Sequence, residues 1–404
     1  MVTWSEVVLT ALGLGALFAA LMTVVLSLTW LERKLLARIQ RRAGPSVVGP
    51  HGLLQPVADA IKLLTKEDVR PADAPRFLFW FAPVMVVLPS YMLWVIIPFG
   101  DGLLVRAMEL GLIYLIALSV LEVVGLLLAG WGSASKYSLL GGFRAAAQLV
   151  SYEIPIIIVI IAVAVFVQSL DLRDVVGGHA TTIAGRTMSY AGQGGVPLAL
   201  VMPLGLVVLF IAGLAELGRT PFDIHHAESE VVGGPFVEYS GAHWAVFYLA
   251  EYMNTFFIAT LTVLLFFGGW SWPSPASVLG DSAPPLAVNA LGAAWLMAKV
   301  YAVAGVIFWF RGTYPRLRID QLMAFGWQVL IPLSFANLIL VATVLYYGWP
   351  TWTLPLISVP LLAVVARVAF RRYADPRKMK TVRMFTRSTR ADGETVLAPQ
   401  AGES

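Results

Sequence analysis

Nine long apolar stretches constrain this chain more than any other feature. Because a bilayer core about 30 Å thick needs roughly 20 apolar residues per helical span, each stretch is long enough to cross a membrane. Only 13% of the residues are charged and the mean hydropathy is +0.78, so lipid is the main solvent. The sequence therefore predicts an all-α fold, a polytopic transmembrane helical bundle over 1–370. The predicted spans are 7–31, 77–98, 104–130, 148–168, 197–215, 243–268, 287–310, 329–348 and 352–370.

The connections between the spans are too short for a soluble domain. The longest has about 45 residues, fewer than a separate hydrophobic core needs. The first span has no basic segment before it and no small-residue cleavage site after it, so we expect it to be retained rather than removed as a signal peptide. The last segment, 371–404, is a basic tail. Such a tail either binds anionic lipid headgroups or docks against a soluble partner.

The distribution of lysine and arginine orients the spans, because these residues favour cytoplasmic connections. With the N terminus outside, about 23 of the 28 basic residues fall in the loops 31–76, 131–147, 216–242 and 311–328 or in the tail. The opposite orientation inverts this ratio. The sequence thus predicts a membrane protein with its N terminus outside and a cytoplasmic C-terminal tail.

The chain has no cysteine, and iron–sulfur clusters need thiolate ligands. Its five histidines lie in loops or at a span edge, so the paired intramembrane histidines of a b-type cytochrome are also missing. If electrons are involved, partner subunits carry them. We find no internal repeat, the common signature of secondary transporters.

The first predicted cytoplasmic loop contains an amphipathic helix after a turn rich in glycine and proline. Its apolar residues recur at helical spacing, and its charged residues occupy the other side. The apolar face consists of Leu54, Val57, Ile61 and Leu64, and the charged face of Asp59, Lys62 and Lys66. We expect this helix to lie in the membrane plane. It is either a simple anchor or one side of an opening for a lipid-soluble molecule.

Three carboxylates, Glu122, Glu153 and Glu251, lie inside predicted spans. A charge at membrane depth costs several kcal/mol and marks a functional site by default. At about 1.5 Å per residue, Glu122 and Glu251 are roughly 12 Å from the cytoplasmic ends of their spans, and Glu153 is roughly 7 Å. They either face a shared interior and exchange protons, or each bonds to a neighbouring helix. Lys299, near the middle of the seventh span, is their counter-charge, the next proton station or a structural residue.

The loop between the fifth and sixth spans is acidic, although a cytoplasmic loop normally favours cations. Two adjacent histidines, His225 and His226, with Glu228 give only a weak metal signal, so we predict no metal site. Proton exchange with water or with a substrate is the better interpretation. The acidic residues are Glu216, Asp223, Glu228, Glu230 and Glu238.

These loops resemble the family of the H subunit of NADH-quinone oxidoreductase (respiratory complex I), the bacterial counterpart of mitochondrial complex I subunit 1. The resemblance covers about residues 20–345. The motifs that carry it are Glu32-Arg33-Lys34 with Gly44-Pro45 to Lys62, Gly130-Trp131 through Ser151-Tyr152-Glu153, Ala215-Glu216, Arg219-Thr220-Pro221-Phe222-Asp223, Ala227-Glu228-Ser229-Glu230, Ala250-Glu251-Tyr252, and Arg311 with Pro315-Arg316 and Asp320-Gln321-Leu322-Met323.

The resemblance implies a subunit of a proton-pumping enzyme of the bacterial inner membrane, with quinone as the substrate and no redox cofactor of its own. Iron–sulfur clusters and flavin are then expected only in partner subunits. Its expected partners are cluster-bearing soluble-arm subunits at the cytoplasmic face, small membrane and antiporter-like subunits in the bilayer, and lipid, but no nucleic acid. The implied quinone chamber is Glu32, Arg33, Lys34, Asp59, Lys62, Arg219, Asp223, Glu228 and Glu230. The implied proton path is Glu153, Glu216 and Glu251, which Glu122 and Lys299 join because of their depth.

The chain departs from the family pattern at His225-His226, where the family usually has Pro or Ala followed by Glu. Because imidazole titrates near neutral pH, we expect the charge of this loop to depend on pH. The ninth span and the tail also exceed the family pattern. Three alternatives stay open at this point: a paralogous membrane subunit of an energy-converting hydrogenase or formate hydrogenlyase, a stand-alone cation transporter, and an inert anchor for a redox arm.

Overall fold

The computed structural model describes residues 4–100, 103–177, 180–183, 186–189, 196–224, 231–273, 275, 278, 284–374, 385–389 and 395–399. Its regular structure is almost entirely helical. In chain order the helices are α1 Trp4–Ile39, α2 Gln55–Thr65, α3 Arg76–Met92, α4 Gly111–Gly132, α5 Lys136–Val167, α6 Leu172–Gly177, α7 Leu198–Val201, α8 Pro203–Glu216, α9 Gly241–Phe266, α10 Pro285–Thr313, α11 Ile319–Phe325, α12 Ile331–Tyr346 and α13 Thr353–Ala374. A π-helical turn, Gly326–Leu330, joins α11 to α12.

Within these residues, seven helices are long and apolar enough to cross a membrane: α1, α3, α4, α5, α9, α10 and the joined α11–α12. Two shorter apolar helices, Pro203–Glu216 and Thr353–Val368, correspond to the fifth and ninth predicted spans. The predicted all-α polytopic bundle is therefore confirmed. The direction in which the spans cross the membrane stays a prediction.

Two short antiparallel hairpins interrupt the helical pattern. The first pairs β1, Ala180–Ile183, with β2, Arg186–Ser189, in a predicted outer loop. The second pairs β3, Phe385–Thr389, with β4, Thr395–Pro399, in the basic tail. Each hairpin has only two strands, so neither forms a domain core.

The helices α9 and α5 form the interior of the bundle. Of their most apolar windows, 83% and 67% of the residues are buried, against 22% for α1 and 33% for α10. A helix that is apolar on every side is expected at such a central position. Glu153 on α5, which is 7% exposed, therefore lies where water is scarce.

One predicted loop is wrong. Residues 131–147 are mostly helical, because α5 begins at Lys136 and has 32 residues. Glu153 lies about 26 Å along α5 from its first residue, not roughly 7 Å from the helix end. One face of the early part of α5 packs on protein, where Ser138 Oγ donates to the Pro235 carbonyl at 2.9 Å, while Tyr137 and Phe143 are exposed. Lys136 and Arg144 lower the hydropathy of this part of the helix, so the apolar pattern missed it.

The helix α8 is short and ends inside the protein. It has 14 residues, about 21 Å, and Leu217 and Arg219 after it remain buried. Its close approach to α9 depends on Gly213, where a Cβ would lie 2.6 Å from Cγ2 of Ile258. The approach carries Glu216, at the end of α8, into the interior.

The predicted amphipathic helix forms as α2. The side chains of Leu54, Val57, Ile61 and Leu64 are exposed, and Asp59 faces α1 on the other side. An exposed apolar stripe of this kind fits a membrane surface. Its position in the membrane plane stays a prediction.

Candidate functional site

A cavity of about 600 Å³ lies between α1, α9, α10 and the segment that follows α8. This volume is typical of sites for drug-sized organic ligands. Its wall combines charged and aromatic side chains. The charged lining residues are Glu32, Arg33, Arg219, Asp223, Glu251 and Arg311, and the aromatic ones are Phe236, Tyr239, Trp244, Phe247, Tyr248 and Tyr252.

A buried ion cluster surrounds Glu32, whose residue surface is only 3% exposed. Nη1 of Arg219 donates to its Oε2 at 2.6 Å, and the Tyr252 hydroxyl donates to the same oxygen at 2.8 Å. Nη1 of Arg311 donates to Oε1. A buried ion pair is stable only when further hydrogen bonds satisfy it. These three donors from separate segments therefore stabilise a carboxylate at the end of α1.

Arg219 links this cluster to α9. Its Nη2 lies 3.3 Å from Oε1 of Glu251; the contact is an ion pair rather than a hydrogen bond, because the N–H is not aligned with the oxygen. Its guanidinium carbon lies 4.5 Å from the ring centre of Tyr252. Burial lowers the pKa of Arg219, but the charges of Glu32 and Glu251 outweigh it and raise the pKa above its ordinary value. Arg219 is therefore a fixed positive charge between two carboxylates.

The cavity wall is supported from α2. Nη1 of Arg33 donates to Oδ2 of Asp59 at 2.5 Å, and Nζ of Lys62 lies 3.8 Å from Oδ1 of Asp59. Of the residues predicted for the quinone chamber in this region, Arg33 lines the cavity, whereas Lys34, Asp59 and Lys62 do not. Asp59 acts through Arg33, which it holds in place.

The acidic segment after α8 contributes Asp223 to the wall. Nη2 of Arg316 donates to Oδ2 of Asp223 at 3.0 Å. The predicted chamber residues Glu228 and Glu230, and the pair His225 and His226, lie outside the described residues. Their roles stay predictions.

A row of carboxylates leads inward from the large cavity. Three small cavities of about 40, 30 and 20 Å³ lie along this row of carboxylates. Each is large enough for a water molecule. The first is lined by Glu122, Glu216 and Glu251, the second by Glu122, Glu153 and Glu216, and the third by Glu153 and Glu216. Glu251 also lines the large cavity. The structure thus brings the four carboxylates together in one continuous row.

Neutral side chains donate hydrogen bonds to two carboxylates of this row. Ser119 Oγ donates to Oε1 of Glu153 at 2.7 Å, and Asn254 Nδ2 donates to Oε1 of Glu122. Oε2 of Glu216 is buried and has no hydrogen-bond partner within the described part of the chain. Charges interact strongly at low dielectric, so a change of charge on one member of the row affects its neighbours.

Lys299 is not part of the row, contrary to its predicted place on the proton path. Its Nζ donates to the carbonyls of Phe267 and Gly269 at 2.9 and 2.7 Å. Phe267 is 13 residues beyond Asn254, about 20 Å along the axis of α9. Of the three roles considered for Lys299, its contacts with main-chain carbonyls fit the structural one. Depth within a single span does not reveal which neighbour a side chain meets.

Comparison with known sequences places the chain in a family. A sequence profile described as NADH dehydrogenase matches residues 12–342, which is most of the chain. The chain belongs to the NADH dehydrogenase family. The large cavity and the carboxylate row both lie within the part that matches the NADH dehydrogenase profile.

Three curated relatives are each named as the H subunit of NADH-quinone oxidoreductase. The protein of Dehalococcoides mccartyi strain CBDB1 is 42% identical over 326 residues, covering 81% of this chain and 84% of the relative. That of Geobacillus kaustophilus is 44% identical over 343 residues, covering 84% and 95%. That of Granulibacter bethesdensis is 44% identical, covering 85% and 94%. The family resemblance seen in the loop motifs is therefore confirmed.

Several residues at the site of this NADH dehydrogenase family member were not predicted from the sequence as site residues. Ser119 and Asn254 are three positions from Glu122 and Glu251, the spacing that places two side chains on one helix face. The same spacing could have been used to predict Ser119 and Asn254 as site residues. Arg311 was visible only as part of a motif at the end of an apolar span, because its partner Glu32 is 279 residues away.

Proposed function

We propose that this chain is the membrane subunit of a multi-subunit NADH-quinone oxidoreductase, and that its large cavity receives the quinone headgroup. The relatives, which are named as a subunit of NADH-quinone oxidoreductase, support this assignment. Their name favours quinone chemistry over the hydrogenase, transporter and anchor alternatives. The cavity volume suits an organic ring, and its aromatic wall offers stacking surfaces for that ring.

The proposed route of entry passes α2. The exposed apolar face of this helix gives a lipid-soluble molecule a surface to follow, and Arg33 lies between α2 and the cavity. Quinone enters headgroup first, with its tail left toward the bilayer. Arg219 and Arg311 then present fixed positive charge where negative charge develops on the ring oxygens.

Reduction of a quinone to a quinol takes up two electrons and two protons. This chain has no cysteine to hold an iron–sulfur cluster, so the electrons arrive from a cluster in a partner subunit. Protons come from the charged wall, including the acidic segment after α8. The new charge pattern in the cavity then acts on the carboxylate row.

The position of Glu251 carries the proposal. This residue lines both the large cavity and the first small cavity, and it lies 3.3 Å from Arg219. Any new charge beside Arg219 changes the electrostatic potential at the neighbouring Glu251. A change of charge at Glu251 acts electrostatically on Glu122 and Glu216, which line the first small cavity with it, and through them on Glu153. We infer that the row is the start of the path toward proton-pumping subunits in the bilayer.

Photolabelling of the purified complex tests the proposed quinone site. A photoreactive quinone analogue should label peptides that carry Phe236 and Tyr248, and excess unlabelled quinone should prevent the labelling. Flavin- and cluster-bearing subunits should copurify with the chain. Absence of competed labelling in a complex that reduces protons would instead favour the hydrogenase paralogue and overturn the proposal.

A further inference from the structure

A turn of main-chain carbonyls follows the C-terminal end of α9. The oxygens of Phe267, Gly269 and Trp272 all accept hydrogen bonds from Nζ of Lys299 in α10, at 2.9 and 2.7 Å for the first two. A lysine ammonium has three N–H donors. The turn therefore satisfies the whole head group of this lysine with backbone oxygens alone.

The backbone of the turn is held in shape by contacts that do not involve the lysine. Gly268 and Gly269 have φ values of +65° and +46°, a region that glycine adopts readily. A Cβ at Gly269 would lie 2.7 Å from Cγ1 of Val176, so only glycine allows this close approach. Ser271 Oγ also donates to the Val176 carbonyl at 2.6 Å. The carbonyls are thus arranged by the fold rather than by Lys299.

The electrostatics of the turn suit one positive charge. No carboxylate of the residues that the structure places forms an ion pair with Lys299. The negative potential comes from carbonyl dipoles at the C-terminal end of a 26-residue helix. The ring of Trp272, 5.7 Å from Nζ, adds a cation–π contact. Backbone carbonyls of this kind replace the hydration shell of monovalent cations in channels.

We propose that residues 267–272 form a binding site for a small primary ammonium cation, and that Lys299 is its tethered occupant. Within the described residues the site has none of the anionic ligands that a divalent cation needs. By filling it, Lys299 fastens α10, which carries Arg311, to α9, which carries Glu251. This inference does not depend on the proposed quinone chemistry.

Chemical rescue of Lys299→Ala tests the site. The substitution removes the equivalent of n-propylammonium and leaves the carbonyls in place. In the purified full complex, we expect the melting temperature of this subunit to fall by roughly 3–6 °C. Added n-propylammonium should restore it in a saturable manner, whereas tetramethylammonium, which has no N–H donor, should not. The wild-type protein should not respond to either cation.

Lys62→Ala is the matched control, because the Lys62 side chain is 68% exposed; its melting temperature should not change. The proposal is overturned if Lys299→Ala melts like the wild type, or if n-propylammonium acts no better than tetramethylammonium. If Lys299→Ala does not accumulate in membranes, accumulation becomes the readout. Growth with n-propylammonium should then restore it, and failure to do so overturns the proposal equally.

Discussion

Nη1 of Arg219 lies 2.6 Å from Oε2 of Glu32, although 187 residues separate them in the chain. The contact joins the end of α1 to the segment after α8, where both side chains are almost completely buried. Breaking a buried pair leaves a charge without compensation, whereas an exposed pair contributes little. This contact therefore connects the stability of the bundle with the charge of the large cavity.

Arg219→Gln should lower the stability of the assembled subunit by about 3–5 kcal/mol, because it leaves Glu32 buried with less compensating charge. Adding Glu32→Gln should recover part of the loss, with a coupling energy of at least about 1 kcal/mol in a double-mutant cycle. The same cycle on Arg33 and Asp59, a half-exposed pair, should give less than about 1 kcal/mol. Melting curves of the purified complex measure the coupling energy of each cycle. Equal couplings would contradict the burial argument.

Gly213→Ala should destabilise the subunit by about 1–3 kcal/mol, since the new Cβ would lie 2.6 Å from Cγ2 of Ile258. Displacement of α8 would also move Glu216, so quinone-linked proton translocation should fall. Ile258→Ala in the same chain should relieve part of the clash. Gly305→Ala is the control, because a Cβ at Gly305 meets nothing within 4 Å. A loss at position 305 as large as that at 213 would refute the packing explanation.

Asn254→Leu should reduce proton translocation while the complex still assembles. The substitution removes the donor to Glu122, and a typical hydrogen bond contributes about 0.5–1.5 kcal/mol, so a loss of roughly two- to tenfold is expected. Proton uptake by proteoliposomes gives the measurement. Asn337→Leu, a buried asparagine on α12, should leave translocation nearly unchanged. The role of Asn254 is rejected if both variants behave alike.

Asp59→Asn should weaken quinone binding without slowing turnover at saturation. Arg33 would lose its partner at 2.5 Å and its fixed place in the cavity wall. Because the pair is partly exposed and worth up to about 1 kcal/mol, KM for a short-chain quinone should rise roughly two- to fivefold with kcat unchanged. Lys62→Ala should leave KM within about twofold, since its contact with Asp59 is exposed and 3.8 Å long. A fall in kcat with constant KM would count against this role.

Hydropathy and depth predicted much of the membrane bundle. The apolar stretches gave the helices, and the placement of Glu122, Glu153 and Glu251 inside spans pointed to a shared interior, because carboxylates at membrane depth rarely face lipid. The small cavities bring all three together with Glu216. The convergence of these carboxylates could be predicted from the sequence because burying a charge in lipid is costly in any fold.

Other features depend on tertiary contacts that no local pattern encodes. Glu216 joins the row only because α8 is short and Gly213 lets it approach α9. Lys299 has the depth of a proton station, but its contacts are carbonyls beyond the end of α9. The first part of α5 is held on one face by the contact of Ser138 with Pro235, and hydropathy predicted a loop there. In each case the deciding partner is far away in the sequence.

The number of protons translocated per quinone reduced in Glu251→Gln tests the central claim most directly. Glu109→Gln is the control, because Glu109 is exposed and precedes the first residue of α4. We expect the assembled Glu251→Gln complex to lose both quinone reduction rate and protons per quinone, while Glu109→Gln matches the wild type. A Glu251→Gln complex that assembles and retains the wild-type number of protons per quinone would show that Glu251 does not connect the cavity to the carboxylate row.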